Sequence, residues 1–152
     1  MIRIITGPVN SGKTSYLRGC FEKRPEVRGF LSVKTRDNEQ NHIGYDLLDL
    51  HTGKSCPFIR KPEFLISGWQ EANRIGERYS FSSEGFVFAR DIFERALKEQ
   101  ARAFCLDEVG KLELQGDGFA QLLEELLNSS IQEKILVIRE SLLTDIRKRF
   151  YI

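Results

Sequence analysis

Three short, mainly apolar stretches, residues 2–5, 103–106 and 135–138, stand out from the amphipathic pattern around them. Stretches of this length and make-up predict strands buried in a sheet. Helical spacing fills the intervals. Residues 13–23 read as a helix that closes before Pro25. Ser82 or Ser83 caps a second helix reaching about residue 100, with Phe86, Ala89, Phe93, Ala96 and Leu97 as its apolar stripe. Phe119, Leu122, Leu123, Leu126 and Leu127 fit the i, i+3, i+4 period of a third. Ser141 caps a last helix that turns Leu142, Leu143, Ile146 and Phe150 inward. Strands alternating with helices at this spacing predict an α/β fold, a mostly parallel sheet with helices on both faces.

Residues 27–66 break that rhythm. Strand-like pieces at 29–35 and 43–50 flank a polar tip at 37–41, and Thr52-Gly53-Lys54 turns the chain again. The pattern predicts an antiparallel β insertion inside a single domain spanning 1–152, because about 40 residues make a poor independent core. Residues 69–76 fit neither template.

Composition narrows the class. With 41% apolar residues the chain is globular. Its 23 basic and 22 acidic residues leave a net charge of +1, which excludes a strong basic field for a nucleic-acid backbone. Cys20, Cys56 and Cys105 are far apart and odd in number, so they frame neither a zinc knuckle nor a disulfide network and suit a reducing compartment. No run nears the roughly 18 apolar residues of a membrane span. The apolar stretch after Met1 is too short for a signal peptide, so the expectation is a soluble cytoplasmic protein.

The first chemical signal is Gly7-Pro8-Val9-Asn10-Ser11-Gly12-Lys13-Thr14, which fits G-x-x-x-x-G-K-[ST]. Glycines let backbone fold close around an anion, successive amides point inward, and the opening helix adds the positive end of its dipole. Chance gives this pattern in roughly one chain of this length in two hundred; here it also follows a strand and opens a helix. The nucleotide-binding set is therefore residues 7–15, ending at Ser15. Lys13 reaches the β- and γ-phosphates and Thr14 offers its hydroxyl to Mg²⁺.

The second signal is Phe104-Cys105-Leu106-Asp107-Glu108, an apolar strand ending in two acids. In an open parallel sheet ligands sit beyond the carboxyl ends of the strands. Asp107 is the candidate Mg²⁺ ligand through its water shell, and Glu108 the group that orients or deprotonates an attacking water. Read alone, an acidic strand end is also an ordinary solvated terminus.

The longer stretch Asp107-Glu108-Val109-Gly110-Lys111-Leu112-Glu113-Leu114 resembles the D-E-[IV]-G-K-M/L-E-L segment of the small standalone P-loop nucleoside-triphosphatases, the family of the cancer-related nucleoside-triphosphatase. Arg28-Gly29-Phe30 and Gly44-Tyr45-Asp46-Leu47 resemble that family's β segment, and Gly76-Glu77-Arg78-Tyr79 does so loosely. The resemblance implies a P-loop NTPase fold and slow, Mg²⁺-dependent hydrolysis of nucleoside triphosphates with weak base preference. Lys13, Thr14, Asp107 and Glu108 carry over by motif. Asn10 departs from the loops that hold glycine there.

Other residues are candidates with competing bland roles. Arg139 ends the strand at 135–138 and is placed to neutralise charge at the γ-phosphate, or else pairs with Glu140. Arg36 is a lid cation or a solvated one. Lys111 touches phosphate or pairs with Glu113. Trp69 stacks on a base or fills a partial core. His42 and His51 lack partners at metal spacing, and Cys105 reads as core. Four functions remain open: a hydrolase, a small nucleotide or metabolite kinase drawing on Arg60, Lys61, Arg74 or Arg78, a GTPase switch, and a nucleotide-binding accessory module. The switch is weakened by the lack of an Asn-Lys-x-Asp guanine motif anywhere in the chain.

Overall fold

The structure, a computed structural model, describes residues 1–7 and 12–152. Among the described residues, eight strands share one sheet: β1 (Ile2–Gly7), β2 (Val27–Arg36), β3 (His42–Asp49), β4 (Ser55–Arg60), β5 (Glu71–Ile75), β6 (Tyr79–Ser82), β7 (Ala103–Val109) and β8 (Glu133–Arg139). Their order is β1-β8-β7-β2-β3-β4-β6-β5. The first four pair in parallel. From β2 outward every pairing is antiparallel. The parallel core with helices on both faces is the α/β fold expected. The antiparallel part extends the same sheet, and it reaches Ser82 rather than residue 66.

Side chains alternate across the sheet. On β7, Ala103 and Cys105 enter a smaller apolar cluster with Leu17 and Phe21 of α1 (Lys13–Glu22). Phe104 and Leu106 enter a larger one on the opposite face. That cluster takes Ala89, Ile92, Phe93 and Ala96 from α2 (Ser83–Lys98), and Leu122, Leu123 and Leu126 from α4 (Ala120–Leu127). Ile146 and Phe150 of α5 (Leu143–Phe150) close it. Between β7 and α4 lies one short turn of helix, α3 (Lys111–Leu114).

Three expectations need correction, and the open choice of cap for α2 falls to Ser82. β1 is an edge strand, not a buried one: Ile2 and Arg3 are exposed, and Arg3 pairs with Glu133. Leu97 is exposed, because Ile92 takes its place on the buried stripe of α2. Ser82, not Ser83, caps α2, its Oγ accepting from the Gly85 amide at 3.0 Å. Ser141 caps nothing: it sits inside a 3₁₀ turn, Glu140–Leu142, and α5 starts after it without a side-chain cap. Residues 69–76, unassigned by pattern, contain β5, whose edge position leaves Glu71 and Arg74 exposed and erases the alternation.

Two glycines that carry the family resemblance have steric reasons. A Cβ on Gly29 would overlap the backbone carbonyl of Cys105 across the β2–β7 pair, and Gly29 has φ +116°. A Cβ on Gly44 would overlap the carbonyl of Ile59 on β4. Gly29→Ala is expected to lower unfolding free energy by at least about 3 kcal/mol in urea titrations, because the strands must part to admit the methyl.

The turn after β3 is fixed by Asp49. Its Oδ1 accepts from the amides of His51 (2.9 Å) and Thr52 (3.3 Å), and its Oδ2 takes Arg95 at 2.7 Å. Burial pushes this carboxyl up, but Arg95 and the two amides outweigh it and hold it below the ordinary 3.8. An acid with a depressed folded pKa stabilises fully above its unfolded value and loses that contribution as pH falls through the folded one. Asp49→Asn is therefore expected to destabilise at pH 7 and to flatten the fall in stability below about pH 4, as read from urea midpoints across pH 2–7.

Candidate active site

The carboxyl ends of the parallel strands surround a cavity of about 610 Å³. Gly7, Gly12, Lys13, Thr14 and Ser15 line it from the end of β1 and the first turn of α1. Asp107 and Glu108 line it from β7, and Arg139 from the end of β8, where it is in register with Gly7. Pro8, Val9, Asn10 and Ser11 lie outside the described residues. Gly12 has φ +76°, a left-handed conformation that suits glycine, and hands the chain directly into α1.

Asp107 is 5% exposed, yet both of its oxygens are engaged: Oδ2 accepts from the Ser32 amide at 2.9 Å and Oδ1 from the Glu108 amide at 2.8 Å. Burial raises its pKa, opposed by those amides and by Lys13. Glu108 sits where the β7–β8 register slips: Leu106 faces Leu136 but Val109 faces Ile138, an extra residue on β7. Glu108 takes φ +66° at this bulge. Bulges re-aim side chains, and this one turns Glu108 into the cavity. Burial and then Asp107 push its carboxyl up to about 8, against Arg139.

The remaining candidates separate cleanly. Lys111 lines the cavity and is exposed, but it does not pair with Glu113 among the described residues. Arg139 likewise makes no ion pair with Glu140 among them. Arg36 bonds the Gln40 carbonyl at the hairpin tip, away from the cavity lining. Trp69 donates its Nε1–H to Ser80 Oγ at 2.9 Å and does not line the cavity. His42 lies against the rings of Tyr45 and Tyr79, its pKa lowered by burial and by Lys61. His51 is an exposed turn residue. Cys105 is fully buried, which pushes its thiol well above the ordinary range. Of the kinase cations, Arg60 is buried against Asp46 at 2.8 Å, Arg74 pairs with Glu71, and only Arg78 lines the cavity.

The profile of a family described as NTPase matches residues 3–151. The chain belongs to that NTPase family. It is 27% identical over 154 residues to the nucleoside-triphosphatase THEP1 of Archaeoglobus fulgidus, covering 96% of this chain and 84% of that one. It is 22% identical over 140 residues to the THEP1 of Natranaerobius thermophilus, covering 91% and 75%. The crystal structure of THEP1 from Aquifex aeolicus superposes with a TM-score of 0.71 at 26% identity, over 97% of this chain and 84% of that one. The solution structure of a human cancer-related nucleoside triphosphatase gives 0.70 at 25%, over 97% and 83%. The chain is thus a nucleoside-triphosphatase, a nucleotide-binding hydrolase by family.

In this NTPase one residue of the acidic motif has a part that sequence reasoning missed. Glu113 is 3% exposed, and its carboxylate clamps the loop beside the site: Oε2 accepts from the Gly110 amide at 2.7 Å and Oε1 from the Phe119 amide at 2.8 Å. Burial raises its pKa and these amides oppose that. The signal available was the spacing itself, since an acid three residues after a glycine that opens a helix fits the capping pattern. Glu113→Ala leaves two amides without their acceptor and is expected to cost about 2–4 kcal/mol in urea unfolding, with Glu113→Gln losing about half as much because one oxygen remains.

Proposed function

We propose that this NTPase hydrolyses nucleoside triphosphates with Mg²⁺ as cofactor, water attacking the γ-phosphorus, and with broad base preference. The observation that carries the reading is a single cavity shared by Lys13, Thr14, Asp107, Glu108 and Arg139. It spans β1 to β7, two strand spacings or about 10 Å of sheet, a distance a polyphosphate bridges.

The residues fit the metal. Mg²⁺ binds through one or two carboxylates plus phosphate and water. A carboxylate has about four lone-pair sites, and Asp107 spends two on amides. Thr14 and Asp107 would hold the ion, which when bound neutralises charge on the phosphate oxygens. Lys13 and the loop of residues 7–15 bind and orient the β- and γ-phosphates. Glu108 accepts the proton of the attacking water in its carboxylate form, which Arg139 and Lys13 favour and a bound Mg²⁺ would favour further. Arg139 offsets the charge that spreads over the γ-oxygens as the bond breaks. The missing Asn-Lys-x-Asp motif favours weak base selection. The three cysteines are free thiols, which suits a cytoplasmic setting. No helix among the described residues is long and apolar enough to cross a membrane.

Phosphate release from ATP, GTP, CTP and UTP, with and without Mg²⁺, tests the reading. Lys13→Ala is expected to weaken both nucleotide binding and turnover. Glu108→Gln should bind ATP as the parent does while kcat falls by about 10²-fold or more. Arg139→Ala should lower kcat at least about tenfold with little change in nucleotide affinity. Unchanged turnover in Glu108→Gln removes Glu108 from the mechanism.

A further inference from the structure

The cavity does not end at the two acids. It continues past Glu108 over the antiparallel half of the sheet, into a lobe lined by Ser32, Tyr45, Ile75, Tyr79 and Arg78 and floored by Phe119. Strand order puts this lobe on the far side of β7 from β1. Tyr45 on β3 is two strand spacings beyond the acids, about 10 Å. In the reading proposed above, the γ-phosphate lies between Lys13 and Glu108, so the diphosphate and nucleoside extend back toward β1. In-line displacement brings the nucleophile in opposite the leaving group. The lobe is therefore on the attacking side of the phosphorus, not on the side of the base.

Its walls are more elaborate than a channel for water requires. The Phe119 ring packs against Phe58 and Phe86 at 5.5 and 5.1 Å, a rigid apolar floor. Tyr45 and Tyr79 stand together with ring centres 6.3 Å apart. Ser32 is 2% exposed and lines the cavity, and its hydroxyl has no hydrogen-bond partner among the described residues. Buried hydroxyls are rarely left so. Arg78 is exposed at the lobe and makes no ion pair among the described residues. Burial and then Glu108 raise the Tyr45 hydroxyl to about 12, so it stays a neutral hydrogen-bonding group beside the acid.

We propose that this lobe is an acceptor subsite for a small ring-bearing alcohol carrying an anionic group, and that the enzyme transfers the γ-phosphoryl group to that alcohol as well as to water. The inference rests on the hydrolase site described above. The acceptor's ring lies against Tyr45, Tyr79 and the phenylalanine floor, and its anion meets Arg78. Its hydroxyl faces Glu108, within the reach of Ser32. In the step, the hydroxyl oxygen forms a bond to the γ-phosphorus. The bond from that phosphorus to the β–γ bridging oxygen breaks, and its electron pair leaves with the nucleoside diphosphate. The hydroxyl proton passes to the Glu108 carboxylate. The products are a phosphate monoester and a nucleoside diphosphate.

The probe is 4-(hydroxymethyl)benzoate, which has ring, primary alcohol and carboxylate. Benzyl alcohol lacks the anion and 4-methylbenzoate lacks the hydroxyl. Ligand-observed NMR with a non-hydrolysable ATP analogue and Mg²⁺ measures binding, and ³¹P NMR with ATP distinguishes monoester from inorganic phosphate. The full probe is expected to bind in the millimolar range normal for a fragment, roughly tenfold more weakly to Arg78→Ala and more weakly to Ser32→Ala. Monoester should form with it, and none with 4-methylbenzoate. Arg78→Ala should hydrolyse ATP at the parent rate. Absent binding to the parent protein, or equal binding to Arg78→Ala, overturns the subsite. Binding with only inorganic phosphate formed overturns the transfer. ATP turnover without probe, run alongside, reads the hydrolase site separately: its loss sinks that reading, whereas normal turnover beside an empty lobe sinks only this one.

Discussion

The Asp107 carboxylate, gripped by the amides of Ser32 and Glu108, is the contact on which both halves of the molecule depend. β2 belongs to both: it runs parallel to β7 and antiparallel to β3. Its pairing with β7 stops at Phe30 and Leu106. One step further the bulge in β7 has moved the backbone away, and a side chain fills in for the lost ladder bond. A buried carboxylate is costly unless its lone pairs are met, and here the unmet ladder amide of Ser32 and the unmet charge of Asp107 satisfy each other. The same bond holds the acid at the cavity and ties the antiparallel sheet to the parallel core. It also sets the level at which Ser32 enters the cavity.

How much of this can be read from sequence depends on whether the signal is local. The phosphate loop is legible because its chemistry needs fixed residue types at fixed offsets, and the acids because a strand end is their natural place. Glu113 is not legible as a loop clamp: in sequence it sits two residues from Lys111 and reads as half of an ion pair, and only the fold brings the Phe119 amide to its other oxygen. β5 is hidden because an edge strand needs no apolar alternation, and β6 because Tyr79 to Ser82 is only four residues long. The exposure of Leu97 and the idle Ser141 have a common cause. Each lies at a helix end, where a small rotation or one 3₁₀ turn decides which side chain faces inward.

The bulge at Glu108 shows what the site costs the fold. A non-glycine residue at φ +66° is disfavoured by roughly 1–2 kcal/mol. Two acids raised by burial add to that burden. Such strain persists where surrounding packing over-determines it. Here the flanking residues are held hard: Leu106 and Val109 are buried in the larger cluster, and Glu113 pins the loop that follows. A flat strand without the extra residue would point position 108 to the face of Leu106, into packed phenylalanines. The bulge is what lets two residues adjacent in sequence both line the cavity.

The asymmetry of the cavity follows from the same construction. On the β1 side its walls are glycine, lysine and hydroxyl groups, which meet charge and tolerate water. On the β3 side tyrosine, isoleucine and phenylalanine make most of the wall, with Ser32, Lys34 and Arg78 set among them. A single water oriented by Glu108 occupies far less space than this wall encloses. An apolar wall with a few polar groups lowers the water concentration at the attacking side and leaves room for a molecule that brings its own hydroxyl. The antiparallel half of the sheet is then more than an appendage that completes the core. In the proposed reaction it supplies the surface against which a nucleophile is chosen, while the parallel half binds the phosphate to be attacked.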